Sequence, residues 1–164
     1  MIGDVEFNSA CYYKYFSLDF PALVSNLAGP KPTDDDLANA RQTAARTCSA
    51  FLKAAALVTP TGKQNTFAAH QLPDGILVEV RPTKIPISYA NAFVKPVVPR
   101  HNADLVEASI DAFASHVDLI TKSYCLKSQQ RLWFSTRSIE ISGTTKCDTF
   151  NEMIRELESV VGLR

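Results

Sequence analysis

The chain has 164 residues, with 17 basic and 17 acidic side chains, 46% apolar residues and 21% charged ones. That balance fits one globular domain over residues 1–164 and leaves out disordered and fibrous classes, as well as a protein that coats nucleic acid over its whole surface. No apolar run approaches the ~20 residues of a membrane span, and MIGDVEFNSA has neither a basic opening nor an apolar signal core, so a cytoplasmic protein without a membrane partner is expected.

Val5 to Ser17 (VEFNSACYYKYFS) opens the chain as an extended, aromatic run, with Val5, Phe7, Cys11, Tyr13 and Tyr15 on one face at period two. So abrupt a start suggests a chain that begins inside a larger fold. Ala22 to Leu27 reads as one short helical turn before the breaker Gly29-Pro30-Lys31-Pro32. Thr33 then caps a helix whose first turn holds Asp34, Asp35 and Asp36, carboxylates that oppose the positive end of the helix dipole. Its apolar face runs through Leu37, Ala40, Ala44, Cys48, Phe51 and Ala55 to about Leu57, ahead of Pro60 and Gly62.

Strands are expected at Asn65 to His70, Ile76 to Arg81 and Arg131 to Ile141. Val106, Ile110, Phe113, Val117, Ile120 and Tyr124 mark a second long helix from about Ala103. Thr149 and Glu152 form a capping box for a last helix that ends near Gly162. The order predicts an α+β domain, a small mostly antiparallel sheet with helices on one face.

Little in the chain suggests a reaction. Cys11, Cys48, Cys125 and Cys147 are dispersed and read as reduced, apolar-like residues. His70, His101 and His116 lack ligand spacing, so no metal, cofactor or catalytic set is assigned. Thr61-Gly62-Lys63 lacks the earlier glycine of a phosphate loop, and Gln64 stands where that loop needs Ser or Thr. A ribonuclease using His70 or His101 is a distant third reading.

Thr61 to Arg100 has a local charge excess: Lys63, Arg81, Lys84, Lys95 and Arg100 face only Asp74 and Glu79. Pro82 to Pro99 reads as a long excursion from the sheet, and Lys95 and Arg100, spaced by Pro96 and Pro99, sit on a stiff extended loop with side chains that stay exposed. Lys63 and Gln64 at a glycine turn, and Lys95 and Arg100 on the loop, are residue types that a single-stranded RNA groove uses along a phosphate path. Ordinary surface cations are the plain alternative, and charge alone favours it. The aromatics Tyr12, Tyr13, Tyr15 and Phe16 could stack on bases, but core or sheet cover is the commoner role.

VEFNSACYYKYFSLDFPALVSNLAG, followed by TPTGKQNTFAAHQLPDGILVEVRPTKIPISYANAFVKPV, resembles the C-terminal half of the backbone subunit of the type I-E CRISPR surveillance complex Cascade, the CasC (Cse-type) family. The match lies in the order and spacing of EFNSACYY, GKQNTFAA and SYANAF and covers Gly3 to Val98; the last third is similar only in its alternation of helix and strand. The resemblance implies a non-catalytic, antiviral role. Subunits stack head to tail and hold the guide RNA by its backbone, so that the guide can pair with target DNA beside other Cascade subunits. It also implies a partial RNA-recognition-motif (ferredoxin-like) palm in which Lys63, Gln64, Asn91, Lys95 and Arg100 contact RNA. Val97 and Val98 depart from the family, which is richer in lysine there.

The family's chain is about twice as long, and its N-terminal half supplies a central strand, the fingers and most of the thumb. The expectation is therefore a piece of that subunit whose sheet pairs between copies or is rearranged, since unpaired strand edges are costly when buried and adhesive when exposed. A protein interaction module without RNA contact is the alternative.

Overall fold

Helix starts in this protein are set by side-chain oxygens that accept from free backbone amides. The structure is a computed structural model and describes residues 10–59, 70–99 and 103–162. Helix α1 (Phe20–Ala28) is capped by Asp19, which accepts from the amide of Ala22 at 3.1 Å. It is longer than the single turn expected, because Asp19 starts it ahead of Pro21, where a missing amide proton costs nothing.

Helix α2 (Asp34–Leu57) has a full capping box: Thr33 Oγ1 accepts from Asp36 N at 3.2 Å and Asp36 accepts from Thr33 N at 3.0 Å. Helix α3 (Leu105–Ser123) is capped by Asp104, which accepts from Glu107 N at 2.7 Å. Helix α4 (Phe150–Gly162) starts at Thr149, whose hydroxyl accepts from Glu152 N at 3.1 Å. The Glu152 carboxylate reaches back to the amide of Asp148 rather than to that of Thr149, so the expected box is displaced by one residue.

The sheet has three strands, β1 (Gly75–Val80), β2 (Gln130–Ser135) and β3 (Thr145–Lys146), with β2 in the middle. β1 and β2 run antiparallel from Gly75 opposite Ser135 to Val80 opposite Gln130, while the short β3 runs parallel to β2. Alternation along the strands sends Ile76, Val78, Val80, Leu132 and Phe134 to one face, against Ala45 of α2 and Met153, Leu157 and Val161 of α4. Leu77 and Trp133 point to the other face, against Ile110, Ala114 and Val117 of α3.

The α+β class holds, but helices cover both faces of the sheet rather than the one expected. The cause lies in β2, where Leu132 and Trp133 are consecutive and both buried, so each face needs a cover. Burial of a Leu132-sized side chain contributes about 2 kcal/mol relative to exposure.

Two strand expectations change. Of the strand expected over Val5 to Ser17, residues 10–17 form no strand and the described members of its period-two face do not share burial, Tyr13 being half-buried and Cys11 and Tyr15 exposed; Val5 and Phe7 lie outside the described residues. The segment lies along the helices instead, with Phe16 edge-on to Phe51 of α2 and the Lys14 ammonium donating to the carbonyl of Ala55. The strand expected over Arg131 to Ile141 stops at Ser135, because the chain folds back over the tryptophan: the Trp133 indole N–H donates to Ile139 O at 2.8 Å and Ile141 joins the same cluster. Of the strand expected over Asn65 to His70 only His70 is described, and it is not extended into a ladder.

Candidate nucleic-acid interface

The candidate site grows from the end of β1, where Val80 is followed by Arg81 and the proline-rich loop Pro82 to Pro99. Within the loop Tyr89 is the one buried residue, at 4% exposure, and it begins a short 3-10 turn, Ala90–Phe93. The Tyr89 ring meets Phe113 of α3 edge-on at 6.0 Å, and Phe93 stacks on the same ring at 6.4 Å with 6° between planes. Tyr13 also reaches this group, 5.8 Å from Phe93 and 6.0 Å from Phe113. An aromatic clamp thus fixes the turn to α3. Asn91 and Lys95 stand on its exposed side, with Val94 and Val98 also exposed.

Beneath the turn lies a charge network. Glu79 accepts from Arg131 Nε at 2.9 Å, from Arg81 Nη2 at 2.7 Å and from the Tyr89 hydroxyl at 3.0 Å. Arg81 Nη2 also donates to the Tyr89 oxygen at 3.1 Å, and Arg131 Nη1 donates to Ser142 O at 2.7 Å. Both guanidiniums and the carboxylate are about nine-tenths buried. Burial, followed by the negative charge of Glu79, raises the Tyr89 hydroxyl above its ordinary pKa, so it stays protonated as a donor.

This network revises the charge reading. Arg81 is engaged internally by Glu79, and Lys84 forms an ion pair with Asp19, whose pKa is lowered by its hydrogen bonds to Lys84 and to the amide of Ala22. Arg81 is thus committed to the interior, while Lys84 is a paired but exposed surface cation. Lys95 has no carboxylate partner among the described residues, whereas Lys63, Gln64 and Arg100 lie outside them.

The structure therefore places Asn91 within the clamped turn and Lys95 two residues past its end, both exposed. Sequence reasoning missed the Glu79–Arg131 pair. Its signal was a charge within one apolar stretch, Glu79 in GILVEV, and an opposite charge at the start of another, Arg131 in RLWF.

His70 lies near Thr59, with Nδ1 and Oγ1 3.3 Å apart, and His101 falls outside the described residues. His116 is half-buried against the Tyr89 ring at 6.4 Å. No cluster of three or more His, Cys, Asp or Glu side chains with metal-holding geometry occurs among the described residues. None of the described helices is long and apolar enough to cross a membrane.

The family model described as CT1975-like protein matches residues 1–161. Among solved structures, the chain is similar to one of a "CRISPR RNA-guided surveillance complex, pre-nicking", with TM-score 0.63 and 21% identity over 77% of this chain and 35% of that one. It is also similar to a chain of a "CRISPR RNA-guided surveillance complex", with TM-score 0.62 and 23% identity over 77% of this chain and 49% of that one. The protein thus spans between a third and a half of the length of these chains and shares their fold over most of its own. No curated protein matches it.

Proposed function

The chain belongs to the CT1975-like Cas family, and from that premise we propose that it is a subunit, or part of one, of a CRISPR surveillance complex, where it grips the guide-RNA backbone without catalysing a reaction. The observation that supports this most is the Tyr89 to Lys95 turn. It is clamped to α3 through Phe93 and Phe113 and carries an exposed amide, Asn91, beside a lysine with no carboxylate partner among the described residues. A cation and an amide on a rigid support can contact phosphate and 2′-hydroxyl groups with little ordering cost.

Lys63, Gln64 and Arg100 complete the proposed contact set, and a recognition-motif palm is its proposed setting. The proposed partners are the guide RNA, target DNA through the guide, further copies of the chain and other subunits of the complex, in the cytoplasm.

Phosphate contacts give affinity without base preference. Lys95→Ala is therefore expected to weaken single-stranded RNA binding equally across sequences and to lower the slope of log affinity against log salt by about 0.7, the value for one lost phosphate contact on a single strand. Binding across a salt series, measured on the full chain, provides the check, and equal slopes for wild type and a Lys63→Ala/Lys95→Ala double variant would end the proposal. A second reading, docking onto a protein partner, is favoured by the exposed Tyr12, Tyr15 and Phe16 beside Phe51. It requires a stable complex that forms without RNA and tolerates the same two substitutions.

A further inference from the structure

Among the described residues neither the Asn91 nor the Lys95 side chain has a hydrogen-bond or ion-pair partner, so other contacts fix where the turn sits. Backbone hydrogen bonds cannot do this alone: Ala92 N donates to Tyr89 O at 3.0 Å and Val94 N to Asn91 O at 3.4 Å, and both bonds are internal to the turn. The Phe93 ring on Phe113 holds one end of the turn to α3, and Tyr89 provides the polar links to the rest of the molecule. Its hydroxyl donates to Glu79 on β1, its amide donates to the Tyr13 hydroxyl at 3.0 Å, and its ring rests on Phe113 of α3. Glu79 is in turn fixed to β2 by Arg131, which reaches on to Ser142. A chain of buried polar contacts therefore runs from the sheet to the first residue of the turn.

We infer that Glu79 and Tyr89 are positioning residues, which touch no RNA themselves but set the register of the turn that carries Asn91 and Lys95. The use of that register rests on the RNA-binding reading; the positioning itself does not. Both residues lie too deep to meet a backbone phosphate, with Tyr89 4% exposed and the Glu79 side chain 10% exposed. The two guanidiniums around Glu79 hold its carboxylate where it accepts from the Tyr89 hydroxyl.

Tyr89→Phe is the informative variant, because it removes one hydroxyl and keeps the ring on Phe113. Hydrogen exchange on the full chain should show the amides of Tyr89, Ala92 and Val94 opening about tenfold more often, with those of Val78 and Leu132 unchanged, as a local opening requires. Glu79→Gln, which retains one acceptor but loses the charge, should loosen the same amides. RNA affinity should fall about three- to tenfold in Tyr89→Phe, in line with the loss of the hydroxyl's bond to Glu79, since Arg81, which also donates to that hydroxyl, keeps Glu79 as a partner.

Wild-type exchange rates in the turn of Tyr89→Phe would overturn the inference. So would an equal acceleration in β1 and β2, which would make the hydroxyl a general stabiliser. If Tyr89→Phe loosens the turn while Lys95→Ala leaves RNA binding untouched, the positioning role stands and the RNA-binding reading falls.

Discussion

Glu79 illustrates how a side chain's role depends on what the fold brings to it. In the sequence it counts as one of two carboxylates offsetting a basic stretch; in the fold it is closed in by Arg81, Arg131 and Tyr89. Two guanidiniums share one carboxylate, so removing the carboxylate leaves buried cations without a counter-charge. Glu79→Ala should destabilise the protein by about 3–5 kcal/mol, the range for breaking a buried pair from one side, and denaturant titration would measure it. A loss under 1 kcal/mol would mean that water or rearrangement reaches the arginines. Lys84 could not be assigned from sequence because its partner Asp19 lies far along the chain, and Arg81 because the burial of the adjacent Glu79 depends on the distant Arg131. Lys95 was legible as exposed, since Pro96 and Pro99 keep that stretch from joining a helix or a sheet, whereas Asn91 was named only through the family resemblance.

Among the elements, helices were easier to read than strands. The starts of α2, α3 and α4 are set by residues within one turn of each helix, so Thr33, Asp104 and Thr149 carry the information locally. A strand needs a partner, and the aromatic run at Tyr12 to Phe16 has the right composition but no ladder among the described residues. Between β1 and β2 the close fit occurs at Gly75, where a Cβ would stand 2.9 Å from Trp133 Cη2 and 3.7 Å from Ile110 Cγ1. Gly75→Ala must push the indole toward α3 and should cost about 1–3 kcal/mol, typical of overpacking. A thermal melt would record the loss, and an unchanged midpoint would show that Trp133 can move freely.

At the scale of the molecule, one small sheet is enclosed between α3 on one face and α2 with α4 on the other, and the cysteines divide accordingly. Cys48 and Cys147 are buried and their thiols are raised in pKa, chiefly by desolvation, whereas Cys11 and Cys125 are exposed. A thiol reagent at neutral pH should label two sites quickly and the other two only as the protein unfolds. Four fast sites would show that the enclosure opens readily. The two-sided enclosure was hidden in the sequence because Leu132 and Trp133 are adjacent, and an uninterrupted apolar pair does not reveal which neighbours will cover each side.

The tryptophan at the centre of this arrangement has an optical consequence. Trp133 is the chain's single tryptophan, 2% exposed, with its indole N–H bonded to Ile139 O and its ring stacked at 6.0 Å on Phe113, the residue that also carries the Tyr89 and Phe93 rings. Intrinsic emission therefore comes from one site next to the aromatic clamp. A ligand that pulls on the Asn91 to Lys95 turn would be registered as a change in colour or intensity, without any label being attached.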